Sequence, residues 1–288
     1  MRTVRQRRGV LLIIAIATAA VAIIVALFFA SRPGGPAGAI APIATTGTAD
    51  VHSLRFAGSS EHLLFGHHDG VLESLDGGRS WRALGARADA MSLEVSGESI
   101  VIAGHEVFQA SNDGGLSWAP IASNLPSLDI HAFARSRLDP ATMWAYLAGG
   151  GIWQTTDGGR TFTLVYDGDA VALSAAVVGG RDVLLGIEPF TGLARSDDGG
   201  RTWRQLGAPP GTPVASMAAT PDGRVVVIGS GQGLHRSDDG GTTWQALIPS
   251  ETFLAVAVSD DGRTVVAVSR QTEVFRSDDG GATWARPG

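Results

Sequence analysis

Six of the seven histidines fall within the first half of the chain, and five of these, His52, His67, His68, His105 and His131, are the candidates for chemistry. Three short stretches can be laid over one another as Asp50-Val51-His52, Asp89-Ala90-Met91 and Asp129-Ile130-His131. His52, Met91 and His131 then share one position, which later becomes Val171, Val214 and Phe253. Neutral imidazoles with a thioether suit copper, and imidazoles with carboxylates suit zinc or iron. The metal expectation gathers His52, Met91, His131 and His105, and His67 and His68 extend it to a wider ligand-binding set. Asp69, Glu106 and Glu188 are candidate catalytic carboxylates, because hydrolysis by a general acid and base needs two acids across a cleft. The competing reading is that these side chains cap strand ends and line a wet channel.

What positions them is a repeat. Six segments, from Ser74–Trp81 (S-L-D-G-G-R-S-W) to Ser277–Trp284 (S-D-D-G-G-A-T-W), carry an Asp at 76, 113, 157, 198, 239 and 279, separated by 37, 44, 41, 41 and 40 residues. A period near 40 residues accommodates four short strands and marks a propeller blade. Asp followed by Gly-Gly between β-rich runs reads as a tight turn in which the carboxylate accepts backbone N–H groups and glycine takes positive φ. The closing aromatic of each segment (Trp81, Trp118, Phe162, Trp203, Trp244, Trp284) can bury a large apolar area against the neighbouring unit. Repeated six times, Asp76, Asp113, Asp157, Asp198, Asp239 and Asp279 read as structural staples. Each unit parses as inner, second and third strand, then the turn, then an outer strand. On this parse the chain enters at an inner strand and leaves after an outer one, so the ring closes by packing of the first blade on the last, without strand exchange. The starts of the inner strands and the loops between second and third strands share one face, which brings the five histidines together at the channel mouth over blades 1 to 3. His62 and His235 fall elsewhere.

The pattern S-x-D-x-G-x-[ST]-W resembles the Asp-box, or BNR, repeat of sialidases and other propeller glycosidases, sortilin-type receptors and photosystem II assembly factors, over residues 50–288. The resemblance implies an all-β, six-bladed propeller whose function ranges from hydrolase to scaffold. A sialidase needs three substrate-binding arginines, a Tyr–Glu nucleophile and an Asp acid/base. This chain offers only Tyr146 and Tyr166, lacks the Phe/Tyr-Arg-Ile-Pro segment, and has Arg55, Arg135 and Arg137 at non-equivalent positions. No sialidase catalytic residue carries over, and a two-carboxylate Asp-box glycoside hydrolase remains as the alternative to a binding or assembly module.

Absence of cysteine excludes thiol nucleophiles, disulfides and a lipidated N-terminal Cys, and absence of lysine excludes Schiff-base chemistry. Arg2, Arg5, Arg7, Arg8 and Arg32 face no acid in residues 1–32, leaving 17 Arg against 28 acids and a formal charge of −11 for the remainder. So acidic a domain disfavours nucleic acid as a partner. Residues 9–30 form an uncharged apolar run of about 33 Å as a helix, one bilayer core. The sequence therefore predicts an Arg-rich cytoplasmic tip and one transmembrane signal anchor over 1–30, a flexible linker over 31–49, and a propeller over 50–288 on the extracytoplasmic side, secreted if cleaved near Ala30. Its top face is expected to bind a protein or glycan.

Overall fold

The computed structural model describes residues 40–286, Pro189 excepted. The anchor expected over 9–30 lies outside them. No helix among the described residues is long and apolar enough to cross a membrane.

Valine-rich, alternating runs punctuated by Asp-Gly-Gly turns fold into strands throughout. The first, β1 (Ala44–Thr45), stands apart. Blade 1 follows with β2 (Ser53–Phe56), β3 (Leu63–His67), β4 (Gly70–Ser74) and β5 (Arg82–Ala83). Blade 2 has β6 (Ser92–Ser96), β7 (Ser99–Gly104), β8 (Val107–Ser111) and β9 (Ala119–Pro120); blade 3 has β10 (Ile130–Arg135), β11 (Met143–Leu147), β12 (Gly151–Thr155) and β13 (Phe162–Tyr166). Blade 4 has β14 (Ala172–Val178), β15 (Arg181–Glu188), β16 (Gly192–Ser196) and β17 (Arg204–Gly207); blade 5 has β18 (Val214–Ala219), β19 (Val226–Ser230), β20 (Gly233–Ser237) and β21 (Gln245–Pro249). Blade 6 has β22 (Phe253–Val258), β23 (Val265–Ser269) and β24 (Glu273–Ser277). Every blade is a four-stranded antiparallel sheet, and the innermost strands β2, β6, β10, β14, β18 and β22 touch in a closed ring.

The ring does not close as the sequence reading had it. The outer strand of blade 6 is β1, from the other end of the domain, in the order β1-β24-β23-β22. Ile43 N–H donates to the Val274 carbonyl at 2.8 Å and Thr46 N–H to that of Thr272 at 2.9 Å. The outer edge of β24 is thereby covered by an extended, β-branched segment, so blade 6 is built from both ends of the domain. For the same reason the compact unit begins at Ile40, and residues 40–49, expected within the linker, belong to it. A hydroxyl chain through Thr46, Thr48 and the Asp50 carbonyl then leads the backbone to the channel mouth.

The core consists of wedges between adjacent blades. β23 shows why: Val265 and Ala267 pack toward blade 5, whereas Val266 and Val268 pack toward blade 1, the two faces of a strand buried on both sides. Each box aromatic joins the wedge between its own blade and the one before it, as Trp81 does against blade 6 and Phe162 against blade 2.

The boxes are closed hydrogen-bonding units. In the first, Ser74 Oγ donates to Asp76 Oδ1 and accepts Gly78 N–H, both at 2.8 Å, while Asp76 Oδ1 accepts the N–H groups of Arg79 and Ser80. Gly78, at φ 95°, holds a conformation that a side chain resists. In five blades the first box glycine also caps the turn between the first two strands, as Gly240 N–H does on Arg224 O. Hydrogen bonds from Ser117, Thr161, Thr202, Thr243 and Thr283 hold the carboxyls of Asp113, Asp157, Asp198, Asp239 and Asp279 down at about 2. Their stabilising effect is complete above the ordinary carboxylate pKa and is lost as pH falls toward 2. Replacing buried Ser237 by Ala removes the donor to Asp239 and the acceptor for Gly241 N–H. A loss of about 1–3 kcal/mol is expected in urea denaturation, with the opposite face unaltered.

Candidate functional site

At the end of the channel away from the boxes, three aspartates and five histidines form an arc over blades 1 to 3. The D-x-H spacing is the local reason. Residues two apart at a strand start lie on one face, so each Asp stands beside the imidazole of its own strand. His131 Nε2 is 2.9 Å from Asp129 Oδ1, and His52 Nε2 is 3.3 Å from Asp50 Oδ2. The loops between second and third strands add the rest. His105, in the β7–β8 turn, reaches Asp89 Oδ2 at 2.8 Å through Nδ1 and Asp129 Oδ1 at 3.4 Å through Nε2. His68, in the β3–β4 turn, brings Nδ1 to 3.7 Å from Asp89 Oδ2, and its N–H donates to Asp50 Oδ1 at 3.1 Å. His67 Nδ1 lies 3.9 Å from Asp50 Oδ1; burial lowers its pKa against the attraction of Asp50 and Asp69.

Asp89 is the centre of this arrangement. Its side chain is 8% exposed, yet it faces His52, His68 and His105. Asp50, Asp89 and Asp129, which enter the sequence analysis only as alignment marks, are the acids that hold these imidazoles. The signal was the D-x-H and D-x-M spacing itself.

The structure divides the expected metal set. His105 and His131, whose rings meet edge to face at 5.2 Å, group with Asp129, while His52 groups with Asp50 and His68. Met91 lines the channel, a cavity of 240 Å³, alongside His52 and His131. The register of the later blades also shifts. Val214 and Phe253 lie in the inter-blade core, each immediately before a bulge. Ala215 and Leu254, the bulged residues, take the channel position. His131 itself sits in such a bulge, between Ile130 and Ala132.

The carboxylate candidates are dispersed. Asp69 sits in the β3–β4 turn of blade 1, Glu106 in the β7–β8 turn of blade 2, and Glu188 at the end of β15 in blade 4, beside Tyr166 and Asp169 in a crevice of its own. Tyr146 is 7% exposed and donates to Asp169 Oδ1 at 2.7 Å, and burial raises its pKa, the reverse of an activated nucleophile. Arg55, Arg135 and Arg137 line one cavity at the box end of the channel, away from the histidines, and each is engaged there. Arg55 pairs with Glu94, Arg135 donates to Pro140 O, and Arg137 pairs with Asp260.

No protein-family model and no curated protein matches the chain. Solved structures do. YCF48 bound to D1 peptide is 20% identical, with 89% of this chain and 87% of that one covered and a TM-score of 0.53. The GH74 xyloglucanase of Xanthomonas campestris is 17% identical at TM-score 0.56, over 85% of this chain but 46% of the enzyme. A chain of the nidogen/laminin complex is 13% identical, covering 78% and 92%, at TM-score 0.62. The fold so defined is a six-bladed β-propeller, and identities this low speak for the fold alone.

Proposed function

We propose that the chain is a membrane-anchored, extracytoplasmic binding or assembly module, held by residues 9–30, which takes a basic protein segment on the Asp–His arc of its top face. The observation that carries this is the placing of Asp50, Asp89 and Asp129 along one rim of an open channel in a strongly acidic domain. Such a rim raises the local concentration of cationic ligands and orients them. Two of the structures of like fold hold a protein partner, a peptide in one and a nidogen/laminin complex in the other, which supports a protein ligand. The hydrolase alternative needs two carboxylates facing one another across one cleft, whereas Asp69, Glu106 and Glu188 stand in blades 1, 2 and 4.

The test is fluorescence anisotropy with the full chain, a labelled Arg-rich peptide, an acidic peptide of equal length, and a chelator throughout. Binding of the basic peptide is expected in the micromolar range. It should weaken about tenfold or more in Asp69→Asn/Asp129→Asn, two exposed or half-exposed rim acids, and should fall with added salt. Equal affinity for both peptides, or full retention in the double variant, overturns the reading.

A further inference from the structure

We infer that Asp50, His52, His68 and Asp89 form a site for a divalent transition metal of the zinc class on the rim between blades 1 and 2. The donor atoms of Asp50, His52 and His68 lie within 4.8 Å of one another. Asp89 supplies the independent observation. Its Oδ1 and His52 Nε2 are both buried and both without a hydrogen-bond partner, although they lie 3.1 Å apart. A carboxylate oxygen and an imidazole nitrogen left so would each forfeit solvation worth about 1–3 kcal/mol. A proton on His52 Nε2 does not repair this, because its approaches to Asp89 and Asp50 lack hydrogen-bond geometry. A cation accepted by both lone pairs does.

Two separations about His52 fit such an ion. Zinc bonds of about 2.0–2.1 Å in a tetrahedron set donor atoms about 3.3 Å apart. His52 Nε2 stands 3.1 Å from Asp89 Oδ1 and 3.3 Å from Asp50 Oδ2. His68 closes from the loop side, its Nδ1 being 3.7 Å from Asp89 Oδ2 on a side chain that is 68% exposed and free to adjust. The surrounding groups are those that orient metal ligands. His105 Nδ1, 2.8 Å away, steadies Asp89 Oδ2, and the His68 backbone N–H does the same for Asp50 Oδ1 at 3.1 Å. Two imidazoles and two carboxylates favour zinc or a like divalent ion over copper(I), which wants sulfur ligands. Met91 is not among the donors. Uptake of the ion requires no peptide, so the site stands or falls separately from the proposed ligand.

The experiment uses the full chain stripped with a chelator and then titrated with Zn²⁺ against a competing indicator, and with Co²⁺ for its visible spectrum. Expected are one tight equivalent at this site, an intense four-coordinate Co²⁺ spectrum, and a 10- to 100-fold weaker affinity in Asp89→Asn. The double variant His52→Ala/His68→Ala should lose the ion, and His131→Ala should keep it. Asp50→Asn, at a side chain 33% exposed, should also weaken it, and the metal-free melting curves should show each variant folded. No stoichiometric uptake by the wild type, uptake surviving in the double variant, or loss in His131→Ala alone overturns the assignment.

Discussion

A chain shortened to begin at Gly47 is expected to lose about 3–6 kcal/mol of stability, whereas one beginning at Ile40 keeps the full value. The difference between them is β1. It gives two flanking backbone hydrogen bonds to blade 6, from Ile43 to Val274 and from Thr46 to Thr272, besides its own pairing of Ala44 with Val274. Ile40 packs on the wedge between blades 5 and 6, and Ile43 on that between blades 6 and 1. About 1 kcal/mol for each net hydrogen bond, and 1.5–3 kcal/mol for each well-buried aliphatic side chain, discounted because these two are only partly buried, gives the range. Against a total of about 5–15 kcal/mol this is a large fraction. The bare edge of β24 should also recruit other chains. Urea denaturation and size-exclusion chromatography of both proteins read the effect, and a peptide of residues 40–48 added in trans should recover part of it. Equal denaturation midpoints would mean that inter-blade packing alone seals the ring.

That prediction concerns what the sequence concealed. The boxes are legible because each is local: Ser74, Asp76, Gly78 and Ser80 satisfy one another within seven residues, so their types and order are fixed by a turn that needs no distant partner. β1 is the opposite case. Two residues at one end of the domain pair with Val274 and Glu273 at the other, and so short a strand carries no periodicity. The channel column fails in sequence at Val214 and Phe253 for a related reason: Ala215 and Leu254 are the bulged equivalents of His131, and since a bulge belongs to two paired strands and leaves no mark in either, the alignment there is one residue out. At the mouth, the histidines of blades 1 to 3 were legible as a group because one alignment of strand starts places them together. Which acid holds which imidazole was not, since Asp89 is approached by His52 and His68 from one blade and by His105 from its own.

The closure has a second latch, and its removal is the other large effect expected. Three boxes begin R-S-D-D-G-G, and their arginines, Arg195, Arg236 and Arg276, each pair with the Asp two residues on. Similar in sequence, they differ in what else they hold. Arg276, with its side chain 3% exposed, leaves β24 and enters blade 1, donating to Ser60 O at 2.7 Å and Gly77 O at 3.4 Å and pairing with Glu61 Oε1 at 2.7 Å. Arg236 reaches Gly262 O in blade 6 at 2.6 Å. For Arg195 the described hydrogen bonds and ion pairs go to Asp197 alone. Glu61 and Asp278 are more than half exposed, so their Coulomb attraction is largely screened. The effect lies instead in the carbonyls. Arg276→Met would leave Ser60 O and Gly77 O without that donor beneath an apolar side chain, at a cost of about 2–4 kcal/mol. Arg236→Met, which strips one carbonyl, should cost about 1–3 kcal/mol, and Arg195→Met less than about 1 kcal/mol. The order in urea denaturation should be Arg276, Arg236, Arg195. Because Arg276 and β1 secure the same blade, their combined loss should differ from the sum of the two, whereas Arg195→Met with the truncation should add simply. Equal effects across the three arginines would show that the box pairing, and not the reach into the next blade, is what they contribute.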